Sequence, residues 1–315
     1  MSALRAGDWV EVRPMAEVMA TLDGQGALAG LPFMPEMAKY CGRRFQVFKS
    51  AHKTCDPTGL TNMRRMEDAV HLETRCDGSA HDGCEARCLL YWKTAWLKPV
   101  DGPGAAGIED GDEPAPDIQA LAIATRDAAD GEVRYRCQAT EIVRATTILS
   151  SKDPKQYAQD IASKNISIPH FARHFGAALA QSVTSRLGRL ASRFGGGAQD
   201  RPTPPRAPSA SLGLKPGDLV QIRSAKEIEA TLDKNGKNRG LALEREMLRY
   251  SGRICRVAYR VGQIIDETTG RKIKLESDCI VLEGLTCAGL ENRGRLFCPR
   301  SSFFYWREAW LKPVT

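Results

Sequence analysis

Three cysteines and a histidine fall within fourteen positions at RCDGSAHDGCEARC, residues 75 to 88. Thiolate and imidazole are the donors that zinc takes in closed tetrahedral sites, and the spacing Cys84-x-x-x-Cys88 lies in the range such sites use. With Cys55 upstream these cysteines give a first quartet of Cys55, Cys76, Cys84 and Cys88. A second quartet, Cys255, Cys279, Cys287 and Cys298, lies toward the other end of the chain. His71 and His81 are alternative donors for the first. His170 and His174 share a helix face at most, since HFARH lacks the glutamate of a zinc-protease helix.

The two quartets belong to two copies of one module. Residue 7 placed over residue 217 aligns 41 residues without a gap, 18 of them identical, and YWKTAWLKPV (91 to 100) matches YWREAWLKPV (305 to 314). Cys76 then corresponds to Cys287 and Cys84 to Cys298, whereas Cys55 faces Ile265 and Cys88 faces Ser302. A tetrahedral metal needs four donors and is indifferent to which strand supplies them, so equal counts at shifted positions favour ligation. Two structural zinc ions are the expectation, with iron or an iron–sulfur cluster as the alternative occupant. Cys41 and Cys137 are left over and read as small buried residues.

CDGSAH resembles the CDGSH motif of small iron–sulfur proteins, whose ligands are that Cys and His with cysteines upstream. Here Ala80 is inserted before His81, the upstream Cys-x-Cys is missing, and the second copy reads CAGLEN.

The elements that must position these donors follow from periodicity. WVEVR and LVQIR alternate as strands. SAKEIEATLD carries Ser224 with Glu227 at the capping-box spacing, and PEMAKYCG and EREMLRYSG predict short helices stopped by Gly42 and Gly252. Further strands are predicted at RRFQVFK, RICRVAYRV, AVHLE, CIVLE and the YW segments, with turns at CDPTG and DETTG. The opening G-D-x-V-x-(V/I)-R resembles the first strand of small KOW, Tudor and Src-homology-type barrels over seven residues per copy; that resemblance implies a small, partly open β-barrel.

The fold class expected is mainly β with short helices (α+β): two duplicated barrel modules flanking a mixed, partly helical middle domain. The first module covers 1–100 and the second 215–315. An acidic Gly/Pro linker (101–117) and a Pro-rich linker (195–214) bracket the middle domain, 118–194. Strand-like IQALAIAT and VRYRCQATEIVRATTIL open that domain, and a helix follows at KQYAQDIASK. A cationic amphipathic helix over 175–194 is expected to pack on the protein, with membrane contact as its other use.

No segment has signal-peptide character or the roughly 18 apolar residues of a bilayer span, so a cytoplasmic location is expected. A reducing compartment disfavours a disulfide framework for the ten cysteines. Among motifs, GQGALAG imitates a phosphate loop, but its copy is KNGKNRG with no Lys-Ser following. No other catalytic signature emerges. The reading is a non-enzymatic, zinc-stabilised tandem-module adaptor that binds a protein or peptide, with Tyr91, Trp92, Trp96, Phe304, Tyr305, Trp306 and Trp310 as candidate contacts. The formal charge is +7; residues 217 to 314 hold 18 basic against 13 acidic side chains, and 7 to 100 hold 12 against 12. Arg253, Arg256 and Lys272 of the basic module therefore admit nucleic-acid binding as the second reading, and an iron-based redox or sensor protein is the third.

Overall fold

The structure is a computed structural model that describes residues 3–103, 116–129, 131–176, 211–290 and 295–314. The fold is mixed α+β, mostly strands punctuated by short helices, with a half-barrel sheet. Contacts divide the chain into two compact units. The first is Met1–Ile166 with Gln263–Leu275 and Phe297–Phe303; the second is Ser167–Gly262 with Glu276–Leu296 and Phe304–Thr315.

In the first unit five antiparallel strands run in the order Leu89–Lys93, Ala69–Arg75, Arg44–Ser50, Trp9–Val12, Leu97–Pro99. The two outer strands do not pair with each other, so the sheet stays open. Alternation explains the central strand: Val10 and Val12 are fully buried while Trp9 and Glu11 are not. Trp92 and Trp96 fill the core, each with Phe33 at an edge-to-face angle, and their indole N–H groups donate to Thr74 (2.9 Å) and Thr21 (3.0 Å). Such partners are what allow two indoles to be buried completely.

The described part of the expected middle domain up to Ile166 clusters with this unit, and Ser167 onward with the second. Thr147–Leu149 adds to Met63–Arg65, which pairs in turn with Lys53–Cys55. Gln138 takes the Tyr91 amide at 2.8 Å and donates to the Tyr91 and Pro32 carbonyls at 2.9 and 3.0 Å. The helix predicted after Pro154 is present as Lys155–Ala162. IQALAIAT, predicted as strand, is instead the helix Pro116–Ala124. Proline suits a first helical position, and the Ala-rich run needs only Leu121 for anchorage while Ile123 stays exposed.

Two later segments, Gln263–Leu275 and Phe297–Phe303, cluster with the first unit. In the hairpin Gln263–Ile265/Lys272–Lys274, Ile265 is buried and the Gln263 amide group donates to the Asp82 and Gly83 carbonyls, both at 2.9 Å.

In the second unit the antiparallel order is Ile280–Leu282, Ile254–Arg260, Leu219–Ile222, Leu311–Pro313. Val220 pairs with Cys255 and Pro313, as Val10 pairs with Phe45 and Pro99 in the first. Ser224 caps Ala225–Glu229 with the reciprocal Glu227 bond anticipated from spacing. Gly42 and Gly252, at φ of 74° and 79°, end the PEMAKY and REMLRY turns in a conformation that favours glycine.

No helix among the described residues is long and apolar enough to cross a membrane. The amphipathic stripe predicted over 175–194 falls, from residue 177 on, outside the described residues.

Candidate metal centre

Glu36 lies on the 3-10 helix Pro35–Tyr40; Cys76 follows the strand Ala69–Arg75, and His81 ends the short turn Ser79–His81. One donor atom from each lies within 4.8 Å of the other two, and this is the one group of three or more such donors among the described residues. The Cys76 thiol donates to Glu36 Oε1 at 3.1 Å. The remaining Glu36 oxygen, Oε2, and His81 Nε2 are both buried without a hydrogen-bond partner. Two orphaned acceptors side by side carry a desolvation penalty that a cation would remove.

Local backbone chemistry brings the three together. Gly78 adopts φ 78°, the His81 and Gly83 amides both donate to its carbonyl at 3.0 Å, and the Cys84 amide donates to His81 at 3.2 Å. A Cβ on Gly78 would sit 2.0 Å from the Cys84 carbonyl oxygen, so only glycine permits this tight fold-back. The His81 ring is hydrogen-bonded to the Arg136 backbone, and its Nε2 is buried without a partner. Fixing one imidazole nitrogen on a carbonyl is the usual way to orient the other toward a metal.

Burial holds the His81 imidazole below its ordinary range, so the ring is neutral and able to ligate. Burial, reinforced by the Glu36 carboxylate, pushes the Cys76 thiol far up. A metal would displace that proton. Beside the trio a cavity of about 40 Å³ is lined by Cys76, His81, Cys84, Cys88 and Cys137, large enough for one small occupant.

The second unit treats the matching residues differently. Glu246 aligns with Glu36 and Cys287 with Cys76, but Asn292 stands where His81 does. Both Glu246 oxygens are taken, one by the Ala288 amide at 2.8 Å and one by the Leu290 amide at 3.2 Å. There the carboxylate ties down a loop.

The cysteine quartets are distributed over several environments. Cys84 and Cys88 share the small cavity with Cys76, burial raising Cys88 to about 11. Cys55 packs against Cys298, which comes from the other quartet. Cys255 and Cys279 are buried in the second unit, and burial pushes Cys279 up to about 12. Cys41 and Cys137 are half-buried, and burial raises them to about 11 and about 12.

His71 is fully buried on its strand, with Nδ1 2.9 Å from the Leu90 carbonyl and its ring 4.4 Å from Tyr91. It joins no donor group among the described residues. Burial first, then the charges of Lys49, Arg300 and Arg75, lowers its pKa to about 3. The depressed folded value means stability is intact above pH 6.5 and lost as pH falls toward 3, because only the unfolded chain takes the proton in that window. Urea titrations should show acid loss steeper in the natural protein than in His71→Val by up to about 1.4 kcal/mol per pH unit. Parallel slopes would remove His71 as the cause.

The aromatic contacts anticipated from sequence are mostly core. Tyr91, Trp92, Trp96, Phe304, Trp306 and Trp310 are all buried, and Tyr305 is half-buried. Most of their apolar area is spent inside each unit. Arg253 and Arg256 are exposed, but Arg253 lies over the Tyr250 ring and Arg256 donates to the Gly217 carbonyl at 2.6 Å. Lys272 pairs with Asp82.

Glu36 is the site residue that sequence reasoning missed. Its signal was available, since Glu36 and Glu246 are identical at one aligned position of the ungapped repeat. Comparison with protein-family models, curated proteins and solved structures returns no match.

Proposed function

We propose that the protein is a non-enzymatic, metal-stabilised binding protein built from a duplicated module, in which only the first copy holds an ion. The observation that carries this is the pair of orphaned buried acceptors, Glu36 Oε2 and His81 Nε2, beside the Cys76 thiol. One thiolate, one imidazole and one carboxylate suit zinc, with the fourth position completed from the cavity by Cys84 or water. The ion would join the Pro35–Tyr40 turn to the 76–84 loop, a structural task.

A peptide partner is supported by a groove of about 1330 Å³ along the outer strand Leu97–Pro99, lined also by Trp9, Arg13, Arg65 and Asp68. An unpaired strand edge beside a cleft suits an extended chain.

Metal analysis of freshly purified, untagged protein tests the first part. About one zinc per chain is expected, with no visible absorption. Two zincs would restore the paired quartets, iron with charge-transfer bands would point to redox chemistry, and no metal at all would defeat the reading.

A further inference from the structure

Next to the Glu36 site, across the cavity that Arg300 and Glu267 also line, the first unit brings together two cysteines from opposite parts of the chain. Cys55 closes the strand Lys53–Cys55, and Cys298 lies in the segment Phe297–Phe303 that belongs to the same unit. Both pack in one small cluster with Met63 and Leu149. The two thiols are hydrogen-bonded to each other and neither is in a disulfide. Arg300 directs Nη1 at the Cys55 sulfur from 3.6 Å, while Nη2 is held by Glu267. Arg300 itself is buried, 7% exposed.

Such a set is short of donors for a closed metal site, and among the described residues neither sulfur belongs to a group of three ligand atoms. It has what thiol oxidation requires: a nucleophilic sulfur, a second sulfur in contact to resolve it, and a fixed cation to hold negative charge on the first. The Cys298 hydrogen bond, with Arg300 assisting, draws the Cys55 thiol down to about 5 despite its burial. Cys55 is half-buried rather than sealed.

We propose that Cys55 and Cys298 form a peroxide-reactive dithiol site whose product is a disulfide fastening the segment 297–303 to the strand 53–55. The Cys55 thiolate attacks one peroxide oxygen, the O–O bond breaks, and the departing hydroxide takes a proton to leave as water. Cys55 is now a sulfenic acid. The Cys298 sulfur attacks the Cys55 sulfur, and its proton leaves with the sulfenic hydroxyl as a second water. Two thiols and one hydrogen peroxide thus give one disulfide and two waters, two electrons passing from sulfur to oxygen.

The test is peptide mapping of the reduced full-length chain after hydrogen peroxide at neutral pH and alkylation of the remaining thiols. A Cys55–Cys298 cross-link is expected, with Cys137 alkylated in the same digest as internal reference. In Cys298→Ser the reaction should stop at a Cys55 sulfenic acid that dimedone traps. Arg300→Lys should slow cross-linking about tenfold, since a mobile ammonium holds the thiolate less well. Cys55 alkylated as completely as Cys137, or oxidised to sulfinic acid with no link to Cys298, would overturn the proposal. Loss of bound zinc from Cys55→Ser would also overturn it, by making that sulfur a ligand.

Discussion

His81→Ala protein should purify with less than a tenth of the metal carried by the natural chain and should melt at a lower temperature. His81 supplies the one neutral imidazole of the trio, and its Nε2 has no other partner to lose. Removing a mere outer-shell partner weakens metal sites by 10- to 100-fold, so loss of a ligand should weaken this one by about 100-fold or more. Through linkage, a 100-fold weaker site withdraws about 2.7 kcal/mol of stability at fixed free metal. Chelation of the natural protein should reproduce that loss and leave His81→Ala unchanged. Cys287→Ser is the control, because its neighbour Glu246 already receives two backbone amides. Metal content would be read by elemental mass spectrometry, and a full complement in His81→Ala would sink the assignment.

Asp160→Ala should be the most damaging single change in the first unit. Lys53 and Asp160 are both completely buried, their Nζ and Oδ2 atoms 2.5 Å apart, and His52 Nε2 approaches the other oxygen at 3.2 Å. Burial lowers the Lys53 pKa even with the carboxylate present, a sign of how strongly the site opposes a charge. Taking the anion away should cost about 3–5 kcal/mol, whereas Lys53→Met with Asp160→Leu should recover most of it. The pair joins the helix Lys155–Ala162 to the strand Lys53–Cys55, so the single variant should also loosen that helix in hydrogen exchange. A loss under about 1 kcal/mol in urea unfolding would show that the pair is not desolvated as described.

What could be read from sequence depended on how local the cause was. Strand alternation at Val10 and Val12, the Ser224–Glu227 cap and the Gly42 and Gly252 stops each act over a few residues, and each is found where expected. IQALAIAT misled because a short apolar run has no period that separates strand from helix. Counting cysteines pointed to two quartets, whereas the donor trio among the described residues takes only one of those cysteines. Cys76 and His81 were visible, but their third companion is a glutamate on a turn forty residues away in sequence. The aromatic repeats gave no sign of their depth, because an indole on the surface and one sealed in a core are spelled alike. Nothing in the hairpin 263–274 announces which unit it completes; Ile265 simply occupies, by repeat alignment, the position of Cys55.

That exchange of segments has a consequence for how the protein is made. The first unit has its opening 166 residues early, but its hairpin and its 297–303 strip emerge only after most of the second unit has been translated. At about 5–20 residues per second, the wait from residue 166 to residue 303 is roughly 7–27 s. During that interval the surfaces that Ile265 and Cys298 later cover stand open on the nascent chain. Biosynthesis therefore passes through a stage at which the amino-terminal half is nearly built and still adhesive, and a chain released before residue 303 leaves the ribosome with that half unfinished.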